Sequence, residues 1–366
     1  MSEINEGKSK EKIKIVLTGG GTGGHVFPHL ALLEFYKKNN WQLSYIGAEK
    51  IEESIIGDAG IPFYKIAAGK LRRYFSFKNF SDLFRIFFGC LQAFFILLKL
   101  RPHLVFSKGG FVSVPVCIAA WFLRIPVVTH ESDFSPGLAT RIIANFCDLV
   151  LCAFEETSKY IKDQNKLRVV GQPLRTDLMQ GDIFRGLELC GFSREDKKPI
   201  LLVIGGSQGS QKINAVVREA LPELLKDFRV VHITGDKSMT LEKKGYKSFS
   251  FLHAELRDIF AIAELVVSRA GANSIFEFLM LKKPMLLIPL EQGSRGDQVQ
   301  NANYFEKKSW ARVLLEKNLN HVSLRASILQ VADEKASIKA AQSQAHPEQT
   351  NALIFEILRE IAMNRK

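Results

Sequence analysis

A glycine-rich segment near the start of the chain has the residue types and spacing of a phosphate-binding loop. Residues 13–18 form an apolar run that predicts a buried strand, and residues 19–24 then satisfy the pattern GxGxxG. Glycines let the backbone approach a ligand closely, and free N–H groups at the start of the next helix attract phosphate. His25 follows directly, which would place an ionisable group beside the ligand. The pattern also fits a tight strand–helix turn without a ligand, or a nicotinamide or flavin site with Glu49 on the ribose.

The second half of the chain repeats this arrangement. Residues 199–204 predict another buried strand, and a second glycine loop follows at residues 205–209. A single dinucleotide-binding domain needs only one such loop. Two loops therefore indicate two Rossmann-like domains that face a cleft.

A further set of polar residues in the second half suits a nucleotide. Residues 268–277 follow a predicted strand and open a helix with small residues, and Glu277 lies about one turn inside it. A carboxylate there can accept two hydrogen bonds from a ribose diol, although an exposed Glu on a capped helix is the alternative. Arg175 has a guanidinium fork that suits a diphosphate, with a salt bridge as the alternative. Asp297, Gln298 and Asn301 add polar groups after a later strand.

The sequence contains no pattern typical of a metal site. No DxD pair, the motif that commonly holds a divalent ion on a sugar nucleotide, occurs in the chain. The five cysteines contain no CxxC pair, so we expect reduced, mostly buried thiols rather than a zinc site. We therefore expect no catalytic metal and no cofactor.

A phenylalanine-rich segment between residues 71 and 101 predicts an amphipathic helix beside basic residues. Its apolar side chains recur at helical spacing, which fits either a core helix or a helix lying in a membrane interface. Its longest uncharged apolar stretch has 13 residues, fewer than the roughly 18 that a spanning helix needs, so no transmembrane helix is expected. The residues predicted to contact an anionic membrane are Arg72, Arg73, Phe75, Lys78, Phe84 and Phe88.

Strand and helix patterns alternate through both halves, which predicts α/β domains with parallel sheets. The predicted organisation is a disordered leader at 1–12, domains at 13–172 and 173–346, and a C-terminal helix at 347–366 that packs on the N-terminal domain. The leader has no apolar core, so we expect the protein to stay in the cytoplasm. The net charge of +12 fits phosphorylated substrates, an anionic membrane or nucleic acid without choosing among them.

Several short stretches together resemble the MurG-type N-acetylglucosaminyltransferases of peptidoglycan synthesis. They fall in order along the chain at residues 20–28, 109–113, 130–131, 173–177, 205–209, 298 and 301–302. The resemblance implies a GT-B fold and transfer of N-acetylglucosamine, with inversion, from UDP-N-acetylglucosamine in the C-terminal domain to lipid I on the N-terminal domain. The product would be lipid II, made at the cytoplasmic face of the inner membrane by a peripheral enzyme that binds no nucleic acid.

The same resemblance implies roles for individual residues. Apart from the resemblance, an inverting transfer needs a general base, for which His25 is the first candidate and Glu131 the next; His25 could instead orient the loop or donate to phosphate, and Glu131 could cap a turn. The implied acceptor contacts are Gly109, Gly110, Phe111 and Ser113. The implied donor contacts are Thr22, Gly23, Gly24, Asp133, Arg175, Ser207, His253, Ala272, Asn273, Ser274, Ile275, Phe276, Glu277 and Gln298.

The chain departs from the family pattern at three places. Ser132 and Asp133 replace the Gln and Asn of HEQN, Gln172 replaces the Asn of GNP, and Val114 replaces a glycine. An ionised Asp133 can only accept hydrogen bonds, which puts the contact of the family's Asn to the donor in doubt. Alternative functions are a diacylglycerol glycosyltransferase, a UDP-N-acetylglucosamine epimerase, a nicotinamide-dependent oxidoreductase and a non-catalytic membrane scaffold.

Overall fold

The chain forms two compact units, each built around its own sheet. The computed structural model describes residues 12–21, 23–69, 77–206, 209–236, 241–291 and 296–364, without the side chains of 77–81. The N-terminal unit comprises residues up to 131, 136–173 and 351 onward, and the C-terminal unit comprises 132–135 and 174–350. The units thus divide after Pro173 and after Thr350. The predicted leader lies largely outside the described residues.

The described part of the N-terminal unit holds a seven-stranded sheet in the order β3-β2-β1-β4-β5-β6-β7. Every neighbouring pair is parallel. The strands are β1 (Lys14–Thr18), β2 (Gln42–Gly47), β3 (Phe63–Lys65), β4 (Leu104–Ser107), β5 (Val127–Glu131), β6 (Leu149–Cys152) and β7 (Leu167–Val169). A parallel sheet brings the carboxyl ends of its strands to one edge, where ligands of such folds bind.

Helices cover both faces of this sheet. They are α1 (Phe27–Leu30), α2 (Leu33–Lys38), α3 (Lys50–Asp58), α4 (Phe77–Leu100), α5 (Ser113–Phe122) and α6 (Leu138–Ile143). Ile15 and Leu17 of β1 belong to one buried cluster and Val16 to the other. This alternation explains why the strand is apolar throughout, because a parallel sheet is buried on both faces.

The segment after the first glycine loop, residues 27–38, forms two helices rather than one. The N–H of Leu32 donates to the carbonyl of His29, three residues back, and separates α1 from α2. The side chain of His29 bonds to the carbonyl of Thr18 and so ties α1 to the end of β1.

Helix α4 packs on α5 and leaves one side outward. Ala93 and Leu97 are fully buried in the core that also contains Val114 and Cys117 of α5. Its outward side chains are 42–66% exposed, and they are Leu83, Phe84, Phe87, Phe88, Leu91, Phe95 and Leu98. The sequence predicted no segment long and apolar enough to cross a membrane, but the 19 residues Asp82–Leu100 of α4 meet that criterion by length and composition alone.

The described part of the C-terminal unit holds a second seven-stranded sheet, in the order β10-β11-β9-β8-β12-β13-β14. Its pairs are parallel except β10–β11. The strands are β8 (Ile200–Ile204), β9 (Arg229–Ile233), β10 (Glu242–Lys243), β11 (Tyr246–Phe249), β12 (Leu265–Ser268), β13 (Met285–Leu287) and β14 (Arg312–Val313). The helices of this unit are α7 (Ile183–Cys190), α8 (Gln211–Asp227), α9 (Leu256–Ile262), α10 (Ala272–Met280), α11 (Asp297–Lys307), α12 (His321–Asp333) and α13 (Lys335–Gln342).

The last helix, α14 (Thr350–Met363), belongs almost wholly to the N-terminal unit. Ile354, Phe355 and Leu358 are buried in the cluster that contains Ile15 and Leu17. The ring of Phe355 lies 5.0 Å from that of Trp41 and 6.0 Å from that of Tyr36. The two ends of the chain therefore build one core.

Candidate functional site

The first glycine loop is held from beneath by a buried carboxylate. Glu52 of α3 is fully buried, and its Oε1 accepts the N–H of Gly21 at 2.9 Å while its Oε2 accepts the N–H of Ala48 at 2.8 Å. Gly21 has a φ of +90°, which strongly favours glycine. A side chain at Gly20 would collide with Glu52 and Val112. The sequence therefore needs glycines here for packing as well as for a ligand.

His25 lies at the end of a short 3-10 turn that begins at Gly23. The turn connects the loop to α1, and His25 is half-buried. Gly24 also lies in this turn, whereas Thr22 lies outside the described residues.

Another glycine loop of the N-terminal unit, at residues 109–113, packs against the loop at residues 19–24. Gly109 and Gly110 follow β4 with φ of +74° and +79°. A side chain at Gly110 would collide with the carbonyl of Gly20, and one at Gly21 would come within 2.8 Å of the Phe111 ring. Ser113, the first residue of α5, donates its Oγ–H to the carbonyl of Gly109 at 2.7 Å. The residues predicted to bind an acceptor thus lie beside the loop that carries His25.

Beneath both loops lies a group of buried polar side chains that includes His29, Lys108 and His130. Lys108 Nζ lies 2.6 Å from His130 Nδ1, and His130 Nε2 lies 2.8 Å from the carbonyl of Gly171. Burial, reinforced by the charge of Lys108, lowers the pKa of His29 to about 3 and that of His130 well below its ordinary value. Both imidazoles are therefore neutral at physiological pH.

Glu131 ends β5, next to His130. Its side chain is largely buried, and its Oε2 accepts the N–H of Gly137 at 3.2 Å, just before α6. This contact fixes the carboxylate to the start of a helix, which is the role of a turn-capping group.

In the C-terminal unit, β8 also runs into a glycine turn. Gly206 and Gly209 have φ of +88° and +69°, and Ser207 lies outside the described residues. Ser210 caps α8 and accepts a hydrogen bond from Arg269 at 2.8 Å. Arg269 is buried, and it also pairs with Glu316 at 2.8 Å. It therefore holds neighbouring strand ends together.

The helix predicted to bind a nucleotide begins after Gly271. The N–H of Ile275 donates to the carbonyl of Gly271, the residue before the first turn of α10. Ala272 is buried, and Asn273 and Ser274 are half-buried. Ile275 and Phe276 point into the core, with Phe276 edge-on to Phe305 at 5.2 Å. The side chains of those two residues therefore belong to the core.

Glu277 is ion-paired with Arg175 at two points. Arg175 Nε lies 2.9 Å from Oε1, and Nη2 lies 3.2 Å from Oε2. Glu277 is largely buried and Arg175 is half-buried. Burial by itself would lower the pKa of Arg175, but the Glu277 carboxylate raises it above its ordinary value. The sequence predicted both residues as ligand contacts and did not predict that they pair.

Two adjacent family models match this chain. The description "Glycosyltransferase family 28 N-terminal domain" matches residues 15–152, and "Glycosyltransferase family 28 C-terminal domain" matches residues 200–356. The chain belongs to glycosyltransferase family 28. The predicted fold class is confirmed.

Relatives within this family match nearly end to end. Proteins named UDP-N-acetylglucosamine–N-acetylmuramyl-(pentapeptide) pyrophosphoryl-undecaprenol N-acetylglucosamine transferase are similar to it. The one from Bacillus cereus is 45% identical over 95% of this chain and 99% of its own. The one from Clostridium botulinum is 47% identical over 95% and 98%. The crystal structure of Acinetobacter baumannii MurG has a similar fold, with a TM-score of 0.72 at 20% identity, covering 95% of this chain and 99% of that one.

In this family 28 chain, residues 132–135 pack on α11. Asn301 Oδ1 accepts the N–H of Phe134 at 3.1 Å, and Asp297 accepts the hydroxyl of Ser135 at 2.7 Å. Asp133 accepts from the Asn301 amide at 3.3 Å. An ionised Asp133 can only accept hydrogen bonds, and the Asn301 amide supplies a donor to it.

Two other predicted donor contacts, Gln298 and His253, lie in the C-terminal unit. Gln298 accepts the N–H of Leu290 at 3.0 Å through Oε1, which anchors the loop after β13. His253 is exposed, and its backbone N–H lies 3.3 Å from Glu255 Oε2. Phe84 and Phe88 lie on the outward side of α4, whereas the side chain of Lys78 and all of Arg72, Arg73 and Phe75 lie outside the described residues.

Among the described residues of this glycosyltransferase, no group of three or more His, Cys, Asp or Glu side chains is placed to hold a metal ion. The described cysteine thiols are free, and four of the five are buried.

Proposed function

We propose that this family 28 enzyme transfers N-acetylglucosamine from UDP-N-acetylglucosamine to the muramoyl C4 hydroxyl of lipid I, giving lipid II. The observation that carries the proposal is the near end-to-end similarity to transferases named for this donor and this acceptor. The coverage of both chains is almost complete, so the similarity includes both family domains.

The C-terminal unit supplies groups that suit the donor. The small residues before and at the start of α10 leave room for a diphosphate, which the N-terminus of a helix attracts. Arg175 adds a fixed positive charge, and Glu277 offers carboxylate oxygens to a ribose. Glycines 205 and 206 allow the backbone after β8 to approach the nucleotide closely.

The N-terminal unit supplies groups that suit the acceptor and the proton transfer. Inversion needs one displacement, in which the acceptor hydroxyl attacks the anomeric carbon and loses its proton to a base while UDP leaves. We assign His25 as that base, because it follows the glycine loop directly and is half-buried rather than enclosed. Glu131 is the second candidate, and its bond to Gly137 favours a structural role.

The leaving UDP carries the developing negative charge. The amides of α10 and Arg175 would stabilise it without a metal ion, because fixed dipoles and a guanidinium act on a diphosphate much as a cation does. We therefore propose turnover without a divalent ion.

We further propose that the enzyme docks on the anionic inner surface of the membrane through α4. An exposed row of leucines and phenylalanines would enter the headgroup boundary, and nearby basic residues would meet anionic lipid. The opposite side of α4 is part of the N-terminal core through Ala93 and Leu97. A helix committed to the core on one side can lie in the interface without crossing it, which supports peripheral attachment.

One assay tests the proposed reaction. Purified enzyme receives UDP-N-acetylglucosamine with lipid I, with diacylglycerol or with no acceptor, and UDP release is measured with and without excess EDTA. We expect UDP release only in the arm that contains lipid I, and we expect most of that release to remain in EDTA. Release with diacylglycerol would indicate the other acceptor, and conversion of the donor without acceptor would indicate an epimerase. No UDP release but tight NAD(H) binding would indicate an oxidoreductase.

A further inference from the structure

We propose that Lys108 is a positioning residue for the acceptor half of the reaction. Its buried ammonium holds His130 in one orientation. Through His130 it also holds the glycine loop at residues 109–113 and the end of β5. The proposal rests on the proposed function, since it assigns the acceptor to the N-terminal unit.

Lys108 occupies an unusual place for a lysine. It follows the last residue of β4, immediately precedes Gly109 and Gly110, and is only 2% exposed. A Cβ atom at Gly19 would come within 3.2 Å of the Lys108 stem, so the side chain passes directly beneath the first glycine loop. Burying an ammonium costs several kcal/mol unless polar groups receive it. A lysine kept here is therefore unlike one on a solvated surface.

The contact with His130 fixes which imidazole nitrogen carries the proton. An ammonium has only donors, so Nζ donates to Nδ1 of His130 at 2.6 Å. The imidazole proton must then be on Nε2, which donates to the carbonyl of Gly171 at 2.8 Å. These two hydrogen bonds join the residue after β4, the end of β5 and Gly171, which lies near the end of the segment 136–173 of the N-terminal unit.

The hydrogen bonds of Lys108 and His130 lie next to the predicted acceptor site. Gly109 N–H donates to Ser107 Oγ at 3.0 Å, and Ser113 closes the same loop onto the carbonyl of Gly109. Glu131 is the neighbour of His130 in sequence, and its carboxylate meets Gly137. A shift of Lys108 or His130 would thus move both the glycine loop and the carboxylate. Lys108 itself is too enclosed to touch a substrate, so it acts through these groups.

Burial keeps His130 neutral, and the charge of Lys108 adds to this effect. The groups facing His130 are Lys108, which follows β4, His29 of α1 and the carbonyl of Gly171. Burial and the charges of the first two hold the pKa of His130 well below its ordinary value. Without the ammonium, His130 loses its donor at Nδ1 and can take a proton there. Burial, the largest cause of the low pKa, remains, so the pKa of His130 should rise toward the ordinary value without reaching it.

The test compares Lys108→Met, which keeps the length of the side chain without its charge, with Lys108→Arg, which keeps a cation. Initial rates are measured from pH 5.5 to 8.5 with lipid I and UDP-N-acetylglucosamine varied separately. For Lys108→Met we expect kcat/KM for lipid I to fall about 10- to 100-fold, as for a displaced catalytic geometry. The KM for the donor should stay near the wild-type value. Because the pKa of His130 should rise, the acid side of the pH profile should shift to higher pH, and Lys108→Arg should recover part of the rate.

Calorimetry with UDP and the melting temperature show whether each variant is folded. The proposal is overturned if folded Lys108→Met keeps its kcat/KM for lipid I and its pH profile. It is also overturned if the rate loss falls equally on both substrates with an unchanged pH profile, which would make Lys108 purely structural. A wild-type enzyme that releases no UDP with lipid I would instead remove the proposed function itself.

Discussion

Arg175 and Glu277 hold each other through two parallel hydrogen bonds, at 2.9 and 3.2 Å, within the C-terminal unit. In the proposed function one binds the diphosphate of the donor and the other binds its ribose. Each is therefore oriented before the donor arrives. A carboxylate has about four acceptor positions, so Glu277 can keep Arg175 and still accept from a ribose hydroxyl.

Removal of Glu277 should weaken UDP binding. Glu277→Ala removes a ribose acceptor and releases Arg175, so we expect a loss of about 1–3 kcal/mol in binding free energy. Isothermal calorimetry with UDP measures it. The matched control is Glu334→Ala, which breaks the Arg312–Glu334 pair of the same unit and should leave UDP affinity unchanged. Equal UDP affinity in wild type and Glu277→Ala would remove the ribose assignment.

Removal of His25 should act on the chemical step. Loss of a general base usually lowers the rate about 10²- to 10⁴-fold, so we expect a fall in kcat of that size for His25→Ala with little change in donor affinity. Steady-state kinetics with lipid I measure the rate, and His346→Ala, an exposed histidine of the other unit, is the control. If donor affinity falls while kcat holds, His25 binds the donor, and Glu131 becomes the candidate base.

The outward side of α4 should carry the protein to anionic vesicles. We expect wild-type protein to co-sediment with phosphatidylglycerol vesicles at low salt and less at high salt, because each basic residue near the surface contributes about 1 kcal/mol that salt screens. Phe84→Ser with Phe88→Ser should release it, as should Glu at Arg72, Arg73 and Lys78, with UDP binding intact. Phe184→Ser, at an exposed phenylalanine of the C-terminal unit, is the matched control. Wild-type protein that stays in the supernatant would refute docking.

Acid should destabilise the C-terminal unit through His232. This imidazole is buried between Tyr246 and Asn214, and burial, aided by the charge of Arg218, lowers its pKa to about 4. The unfolded chain therefore takes up the proton first as the pH falls below about 6.5. As the pH falls from 6.5 to 5, this proton uptake lowers the free energy of unfolding by about 2 kcal/mol.

Urea unfolding at pH 7 and pH 5 measures this effect. His232→Gln should depend less on pH than the wild type, while His321→Gln, an exposed control, should match the wild type. A slope that is the same in His232→Gln and wild type would show that the imidazole does not carry the dependence. His29 acts in the same direction in the N-terminal unit, so the whole chain should lose stability below pH 6.5.

The sequence predicted the central strands well and the edge strands poorly. The run at 199–204 predicts β8 because it is apolar throughout, as a strand buried on both faces must be. The strands at Phe63–Lys65, Leu167–Val169 and Arg312–Val313 were missed, since they are short and half-buried or exposed and carry no comparable run.

The candidate site was predictable in its loops but not in its pairings. Glycine patterns mark where a backbone turns, and they located both phosphate-type loops. The ion pair of Arg175 with Glu277 joins residues 102 positions apart, and no local pattern reports such a contact. Lys108 was missed because lysine is usually a surface residue, although its place between a buried strand and two glycines was a usable signal.

The helix α14 sets a constraint on how the molecule is made. Phe355 and Leu358 complete a core whose other side chains, among them Trp41, come from the first part of the chain. A ribosome delivers the chain from its first residue onward, so the N-terminal sheet is synthesised long before the helix that covers it. While residues 174–350 are translated and form their own sheet, the apolar face of the N-terminal sheet that α14 covers stays exposed. The unit that starts the chain is thus the last to finish folding, and a stop codon that removes only the final turns would damage the beginning of the protein rather than its end.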